Sequence, residues 1–84
     1  MWSEGVIGVP ATIAGAPTCV HYWVKHYKNP SKYGINHSHI SKLMLKIDGQ
    51  IVCHYDRGWD VRPTCKAAAA ALEILLYEYD RRDV

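Results

Sequence analysis

The segment spanning residues 40–56 constrains the fold most, because alternating strand patterns flank a tight-turn signal. Before the turn, apolar residues occupy every second position, at Leu43, Leu45 and Ile47, which is typical of a strand with one buried face. Asp48-Gly49 is a two-residue signal for a turn that needs positive φ. Residues 50–56 then return as the next strand. The segment therefore predicts an antiparallel β-hairpin.

A regular hairpin assigns the side chains of these two strands to faces. One face pairs Leu45 with Val52 and Leu43 with His54, and we expect it to be the core and to receive a helix. The opposite face pairs Met44 with Cys53, Lys42 with Tyr55 and Lys46 with Ile51. This second face is too apolar to be freely solvated. Two covers are open: the rest of this chain, or the sheet of a second copy.

Two further strands are predicted before the hairpin. Residues 2–9 form the first, which Pro10 ends because proline cannot donate to a β-ladder. Residues 11–17 are small and contain proline, so they predict a loop. Residues 18–28 form the second strand, with Val20, Tyr22 and Val24 on a core-like side and with aromatic and basic residues on the other.

A single long helix follows the strands. Thr64, directly after Pro63, is a suitable N-cap, and residues 65–80 form the helix body. Apolar residues recur at helical spacing, at Ala68, Leu72, Leu75, Leu76 and Tyr79. The sequence therefore predicts an α+β fold, a four-stranded and mainly antiparallel sheet with one C-terminal α-helix packed on one face.

Length and composition limit the class of protein. Eighty-four residues make a single domain, 1–84, with a small core that self-association would help to stabilise. No apolar stretch is long enough to span a membrane, and no secretory signal is evident, so we expect a cytoplasmic protein. The three cysteines are odd in number and widely spaced, which favours reduced thiols. With 10 basic against 8 acidic residues, net charge alone does not predict a nucleic-acid-binding protein.

Residues 55–60 join the last predicted strand to the helix, and they are the strongest candidate for a binding site. This corner carries two aromatic rings, an arginine and two aspartates where a short polar turn is more usual. An arginine fork suits phosphate or carboxylate, and an aromatic ring suits a stacked base. Alternatively, Arg57 or Arg62 pairs with Asp56 or Asp60 while Trp59 fills the core, and the corner is structural. With neighbouring segments, the predicted ligand-binding residues are Tyr55, Arg57, Trp59, Arg62, Lys42 and Tyr33.

Catalytic and metal sites have weaker sequence support. His37 and His39 have the spacing of a metal-binding pair, but no third ligand lies at a recognised distance along the sequence. General acid-base cleavage of RNA by His21, His26 or His54 beside Lys42 stays an open alternative. No triad order, phosphate-binding glycine loop or cofactor motif is evident. We therefore expect no metal, no cofactor and no enzymatic activity.

The chain resembles a family of small, uncharacterised proteins found in phages and prophages of Gram-positive bacteria. Four segments carry the resemblance: Trp2 with Gly5, residues 31–35 (SKYGI), residues 40–43 (ISKL) and residues 55–60 (YDRGWD). Residues 11–19 depart from the family pattern as an insertion between the first two strands. The resemblance implies a phage-linked setting and supplies no catalytic residues.

These observations lead to one expected function and one alternative. We expect a phage-encoded, non-enzymatic binding protein, a homodimer, that counters a host defence system by sequestering a nucleotide-type signal or by blocking a defence protein. The alternative is a nucleic-acid-binding regulatory protein whose phosphate contacts are Lys25, Lys28, Lys32, Lys42 and Lys46.

Overall fold

The computed structural model of the chain describes residues 2–27, 35 and 39–81, and the side chains of residues 80 and 81 are outside that description. In chain order the elements are β1 (Trp2–Val9), α1 (Ala11–Ala14), β2 (Thr18–His26), β3 (Ile40–Ile47), β4 (Gln50–Asp56), β5 (Trp59–Val61) and α2 (Lys66–Arg81). No helix within the described residues is long and apolar enough to cross a membrane.

The strands form one antiparallel sheet in which each strand lies beside its sequence neighbours, in the order β1-β2-β3-β4-β5. Helix α2 packs against one face of this sheet. The predicted α+β fold with a C-terminal helix is therefore confirmed. The structure adds a fifth strand, β5, where a corner was predicted, and a short helix, α1, where a loop was predicted.

The hairpin of β3 and β4 contains a bulge that the regular pairing did not predict. Ile47 pairs with Gln50 and Lys46 with Ile51, as expected, but Leu45 then pairs with Cys53. Strand β4 thus carries an extra residue, Val52, whose carbonyl oxygen accepts a hydrogen bond of 3.0 Å from the amide of Thr64. The bulge therefore ties β4 to the segment that leads into α2, and it shifts every later residue of β4 by one position.

This shift corrects the predicted faces of β4. Cys53 and Tyr55 lie on the core face, opposite Leu45 and Leu43, and both are buried. The expectation that they share the face opposite the core with Met44 is wrong, because one extra residue moves later side chains to the other side of a strand. His54, expected on the core face, lies instead on the opposite face.

The core lies between the sheet and α2. Its fully buried side chains come mainly from the three central strands, and the sheet-facing side of α2 begins with alanines. Small residues at this contact let the helix approach the sheet closely. The buried residues of α2 are Ala67, Ala68, Ala71, Leu72, Leu75 and Tyr79, while Leu76 is partly buried. The buried stripe predicted from helical spacing is thus largely confirmed.

Gly5 of β1 is needed because an aromatic ring lies across it. A Cβ atom at this position would be 2.6 Å from Oη and 2.8 Å from Cζ of Tyr22, its partner on β2. We expect Gly5→Ala to destabilise the domain by ~1–3 kcal/mol, because the ring has to move. At Gly8 of the same strand an added Cβ meets nothing within 4 Å, so Gly8→Ala is the matched control and should change stability by less than ~0.5 kcal/mol. Urea denaturation measures both, and equal effects would contradict the steric argument.

Candidate functional site

The face of the sheet opposite α2, called here the outer face, carries aromatic and charged side chains from four strands. Antiparallel register arranges them in three rows across β1, β2, β3 and β4. The first row is Trp2, Lys25, Lys42 and Asp56. The middle row is Glu4, Trp23, Met44 and His54. The third row is Val6, His21, Lys46 and Ile51.

A groove of about 380 Å³ lies in the middle of the outer face. The apolar side chains of Trp23 and Met44, from the middle row, line it together with the indole of Trp2. Its polar lining comes from Lys42, Lys46, His54 and Asp56. This volume falls within the range of sites that bind small organic molecules, and an apolar lining with a few polar groups is typical of them.

The lysines of the outer face are close to one another. Lys25 and Lys42 are direct partners across β2 and β3, an arrangement of like charges that costs free energy. Nζ of Lys42 lies 3.5 Å from Oδ1 of Asp56, which compensates one of these charges. Nζ of Lys46 lies 5.6 Å from the centre of a ring of Trp23, within cation-π range. Anionic groups entering the groove would therefore meet two ammonium groups that are already positioned.

Two histidine-carboxylate pairs hold the side chains at the ends of the middle row. Nε2 of His21 donates a hydrogen bond of 2.8 Å to Oε2 of Glu4, and the His21 ring stacks on Trp23 with ring centroids 4.0 Å apart. Nδ1 of His54 donates a hydrogen bond of 2.8 Å to Oδ2 of Asp60, on β5. Because a carboxylate only accepts, each pair determines which ring nitrogen carries the proton. The groove is thus bordered by oriented imidazoles.

An aromatic and basic cluster continues the outer face at the end of β2. Nζ of Lys25 lies 5.9 Å from the centre of a Trp2 ring and 5.8 Å from that of Tyr27. A hydrogen bond with Lys25, assisted by its positive charge, lowers the pKa of the exposed Tyr27 phenol from its usual value. This end of the face therefore also favours negative charge.

The corner predicted from sequence is a tight turn between β4 and β5. Arg57 lies at its tip with φ of 59°, and its amide donates a hydrogen bond of 3.1 Å to the carbonyl oxygen of Ser41. The amide of Asp56 donates to the carbonyl oxygen of Gly58 at 2.9 Å. The backbone of the turn is therefore anchored to β3 and closed on itself.

The structure brings together three of the predicted site residues. Tyr55 is only 7% exposed, and its ring meets that of Trp59 edge-on with centroids 5.1 Å apart. The guanidinium carbon of Arg62 lies 5.3 Å from the centre of a Trp59 ring. Tyr55 therefore has little surface on which a ligand could stack, and Trp59 is half-buried against the core. The packing of Tyr55 on Trp59 fits a structural role for the corner. In this corner Asp56 contacts Lys42 and Asp60 contacts His54, whereas the sequence alternative paired these aspartates with arginines.

Of the other predicted residues, Arg57 lies at the tip of the same turn. Lys42 is on the outer face, whereas Tyr55 points to the core face. Tyr33 lies outside the described residues. Sequence reasoning missed Trp2 and Trp23 as site residues, and it named Lys46 only for the alternative of nucleic-acid binding. The only available signal was the alternation in β2, which predicted one aromatic and basic side for that strand but did not show which residues of other strands lie beside it.

Of the other side chains that could carry chemistry, His39 and Cys53 are buried in the structure. His39 is buried, and its Nδ1 donates a hydrogen bond of 3.2 Å to the carbonyl oxygen of Tyr27. Among residues 2–27, 35 and 39–81, no group of three or more His, Cys, Asp or Glu residues could hold a metal ion; His37 lies outside them. Cys19, Cys53 and Cys65 are free thiols. Burial raises the pKa of Cys53 to about 11, which makes its thiol a poor nucleophile.

Comparison with known families identifies the domain without assigning it an activity. The chain belongs to the family described as a domain of unknown function (DUF7678), whose model matches residues 1–80. Comparisons with curated proteins and with solved structures found no match. The family match covers all the strands and nearly all of α2, so the strands that carry the outer face lie within the matched residues.

Proposed function

We propose that this DUF7678 domain is a non-enzymatic binding protein whose outer-face groove takes a nucleotide-type ligand. One observation carries the proposal: two tryptophans and two lysines from three strands line the same groove of about 380 Å³. Aromatic rings bind the flat face of a base, and ammonium groups bind phosphate. A ligand that has both features fits this lining better than a purely apolar one.

Each part of the groove has a role in the proposal. Trp2 is 57% exposed and presents its indole to a base, whereas one ring face of Trp23 is covered by His21. Lys42 and Lys46 lie on either side of the middle row, where each reaches a phosphate from its own side. Asp56 opposes an anion at one edge, so the phosphate is expected nearer to Lys46.

The proposed biological setting is interference with a host defence system by a phage-encoded protein. Its support is the resemblance of residues 31–35, 40–43 and 55–60 to small phage and prophage proteins. A binder of this size acts by mass action, because affinity and abundance are enough to lower the free concentration of a signal. Blocking of a defence protein through the same face is the other form of this proposal.

A second candidate function is nucleic-acid binding by a regulatory protein. The observation that favours it is that Lys25, Lys42 and Lys46 share the outer face with Trp2 and Trp23. Aromatic rings flanked by lysines on a sheet form a platform for single-stranded nucleic acid. The other two lysines of this hypothesis, Lys28 and Lys32, lie outside the described residues.

A binding titration distinguishes the two candidates. Mononucleotides, cyclic dinucleotides and a single-stranded oligonucleotide are titrated into the protein at two salt concentrations, with tryptophan fluorescence as the readout. The proposal predicts that one small nucleotide binds with weak salt dependence and is recovered chemically unchanged. Affinity for the oligonucleotide that falls steeply with salt supports the second candidate. Hydrolysis of the bound nucleotide contradicts the non-enzymatic proposal.

A further inference from the structure

Strand β1 forms one edge of the sheet and has a backbone that is paired on one side only. Its eight residues, Trp2–Val9, pair with β2 in an uninterrupted register from Trp2 opposite Lys25 to Val9 opposite Thr18. Within the described part of the chain, no strand pairs with its other side and no backbone hydrogen bond outside the ladder involves it. Such an edge presents a row of amide and carbonyl groups that another strand can complete.

The two edges of the sheet differ in how they are protected. β5 at the opposite edge has three residues, Trp59–Val61, and pairs irregularly with β4. Short strands and irregular pairing are common ways to prevent edge-to-edge association. β1 has no bulge, and no proline or lysine lies within it. The long edge is therefore the one left competent for pairing.

Side chains beside the β1 edge supply apolar surface for a partner. Val6 is 60% exposed although it lies in the middle of the strand. On the helical side, a groove of about 200 Å³ adjoins the edge and is lined by Val6, Ile7, Tyr22, Ile74, Leu75, Glu78 and Tyr79. The one charged side chain of the strand, Glu4, is engaged by His21 of its own sheet. Little charge therefore opposes the approach of a second strand.

We propose that two copies of this chain associate through antiparallel pairing of their β1 strands. A two-fold axis perpendicular to the sheet joins the two five-stranded sheets into one continuous sheet and keeps both α2 helices on the same side. Residues that pair across the two-fold axis then project their side chains from the same side of the joined sheet. Pairing centred on Gly5 places Glu4 of one copy opposite Val6 of the other, so that like charges do not meet.

A second copy suits this edge because antiparallel pairing of two β1 strands completes both backbones and keeps the single charge of each strand, Glu4, away from its counterpart. In an isologous contact the same surface serves both partners. The outward amides of each β1 strand therefore donate to the outward carbonyl oxygens of the other, in the same way in both directions. Burial of Val6 and of the adjoining groove adds apolar surface to a domain whose size limits its own core. This geometry leaves the outer-face groove open, whereas face-to-face packing of two sheets would cover it.

The test compares two exposed apolar residues that lie on the same face but on different strands. Val6→Lys places a charge at the β1 edge, and Ile51→Lys places one on β4, where Ile51 is 47% exposed. Light scattering during size exclusion should find a dimer for the wild type and for Ile51→Lys and a monomer for Val6→Lys, each folded by circular dichroism. A wild-type monomer overturns the proposal, as does a dimer broken by Ile51→Lys and kept by Val6→Lys.

Hydrogen exchange of the wild-type protein gives an answer that needs no variant. In a monomer, alternate amides of β1 point away from β2 and exchange quickly, while the others are protected by the ladder. Pairing of β1 with a second β1 protects both sets over the paired residues. Slow exchange at consecutive β1 amides is the expected result, and alternation along the strand contradicts the proposal.

Discussion

Replacement of Cys53 with aspartate is expected to destabilise the domain by ~3 kcal/mol or more, because it places a carboxylate in a site without solvent. Cys53 is fully buried opposite Leu45, among the apolar side chains between the sheet and α2. A domain of this size has a free energy of unfolding of only ~5–15 kcal/mol. The variant should therefore unfold at a much lower urea concentration than the wild type.

The neighbouring residue is the matched control for this prediction. His54→Ser removes the hydrogen bond to Asp60 on the solvated side of the sheet, and it should cost at most ~1 kcal/mol. A hairpin without the bulge reverses the two positions, with His54 in the core opposite Leu43 and Cys53 outside. A large loss of stability for His54→Ser together with a small loss for Cys53→Asp would therefore contradict the register of β4.

Removal of both groove lysines is expected to weaken the binding of a small nucleotide ~100-fold or more, because each of the two charge-assisted hydrogen bonds contributes ~1.5–3 kcal/mol. Lys42→Ala with Lys46→Ala deletes the ammonium groups that line the groove. Isothermal titration with the best nucleotide of the panel measures the change. Stability should alter little, because both side chains are partly exposed.

Two other lysines serve as controls for the lysine pair. Lys66 is exposed at the start of α2, so Lys66→Ala should leave the affinity unchanged. Lys25 shares the outer face but does not line the groove, so Lys25→Ala should have a small effect on a nucleotide and a larger effect on an oligonucleotide. Equal losses for all these variants would indicate general electrostatic attraction rather than a site.

The sequence predicted the strands better than it predicted their faces. Strands 2–9, 40–47 and 50–56 and the body of α2 follow local patterns, which depend on alternation, helical spacing and turn chemistry. The bulge at Val52 follows no local pattern, since its carbonyl oxygen is satisfied by Thr64, beyond β5 in the chain. Strand β5 has no strand pattern in the sequence because three residues are too few to show alternation.

For the candidate site too, the sequence predicted what depends on neighbouring residues and missed what depends on contacts between distant ones. Residues 55–60 are bulky and charged for a turn, which predicts a binding site, but Tyr55 and Trp59 pack against each other beside the core. Trp2 and Lys46 are 44 positions apart in the sequence and line one groove only because β2 lies between β1 and β3. Strand order and register therefore create the groove, and one sequence does not reveal them.

Indole N–H resonances of the three tryptophans test the location of the proposed site most directly. Trp2 and Trp23 line the outer-face groove, while Trp59 lies at the β4–β5 turn. Titration of the nucleotide panel into isotope-labelled protein should shift the first two resonances in a saturable way and leave that of Trp59 unchanged. A saturable shift confined to Trp59, or no saturable shift with any nucleotide, would contradict the account.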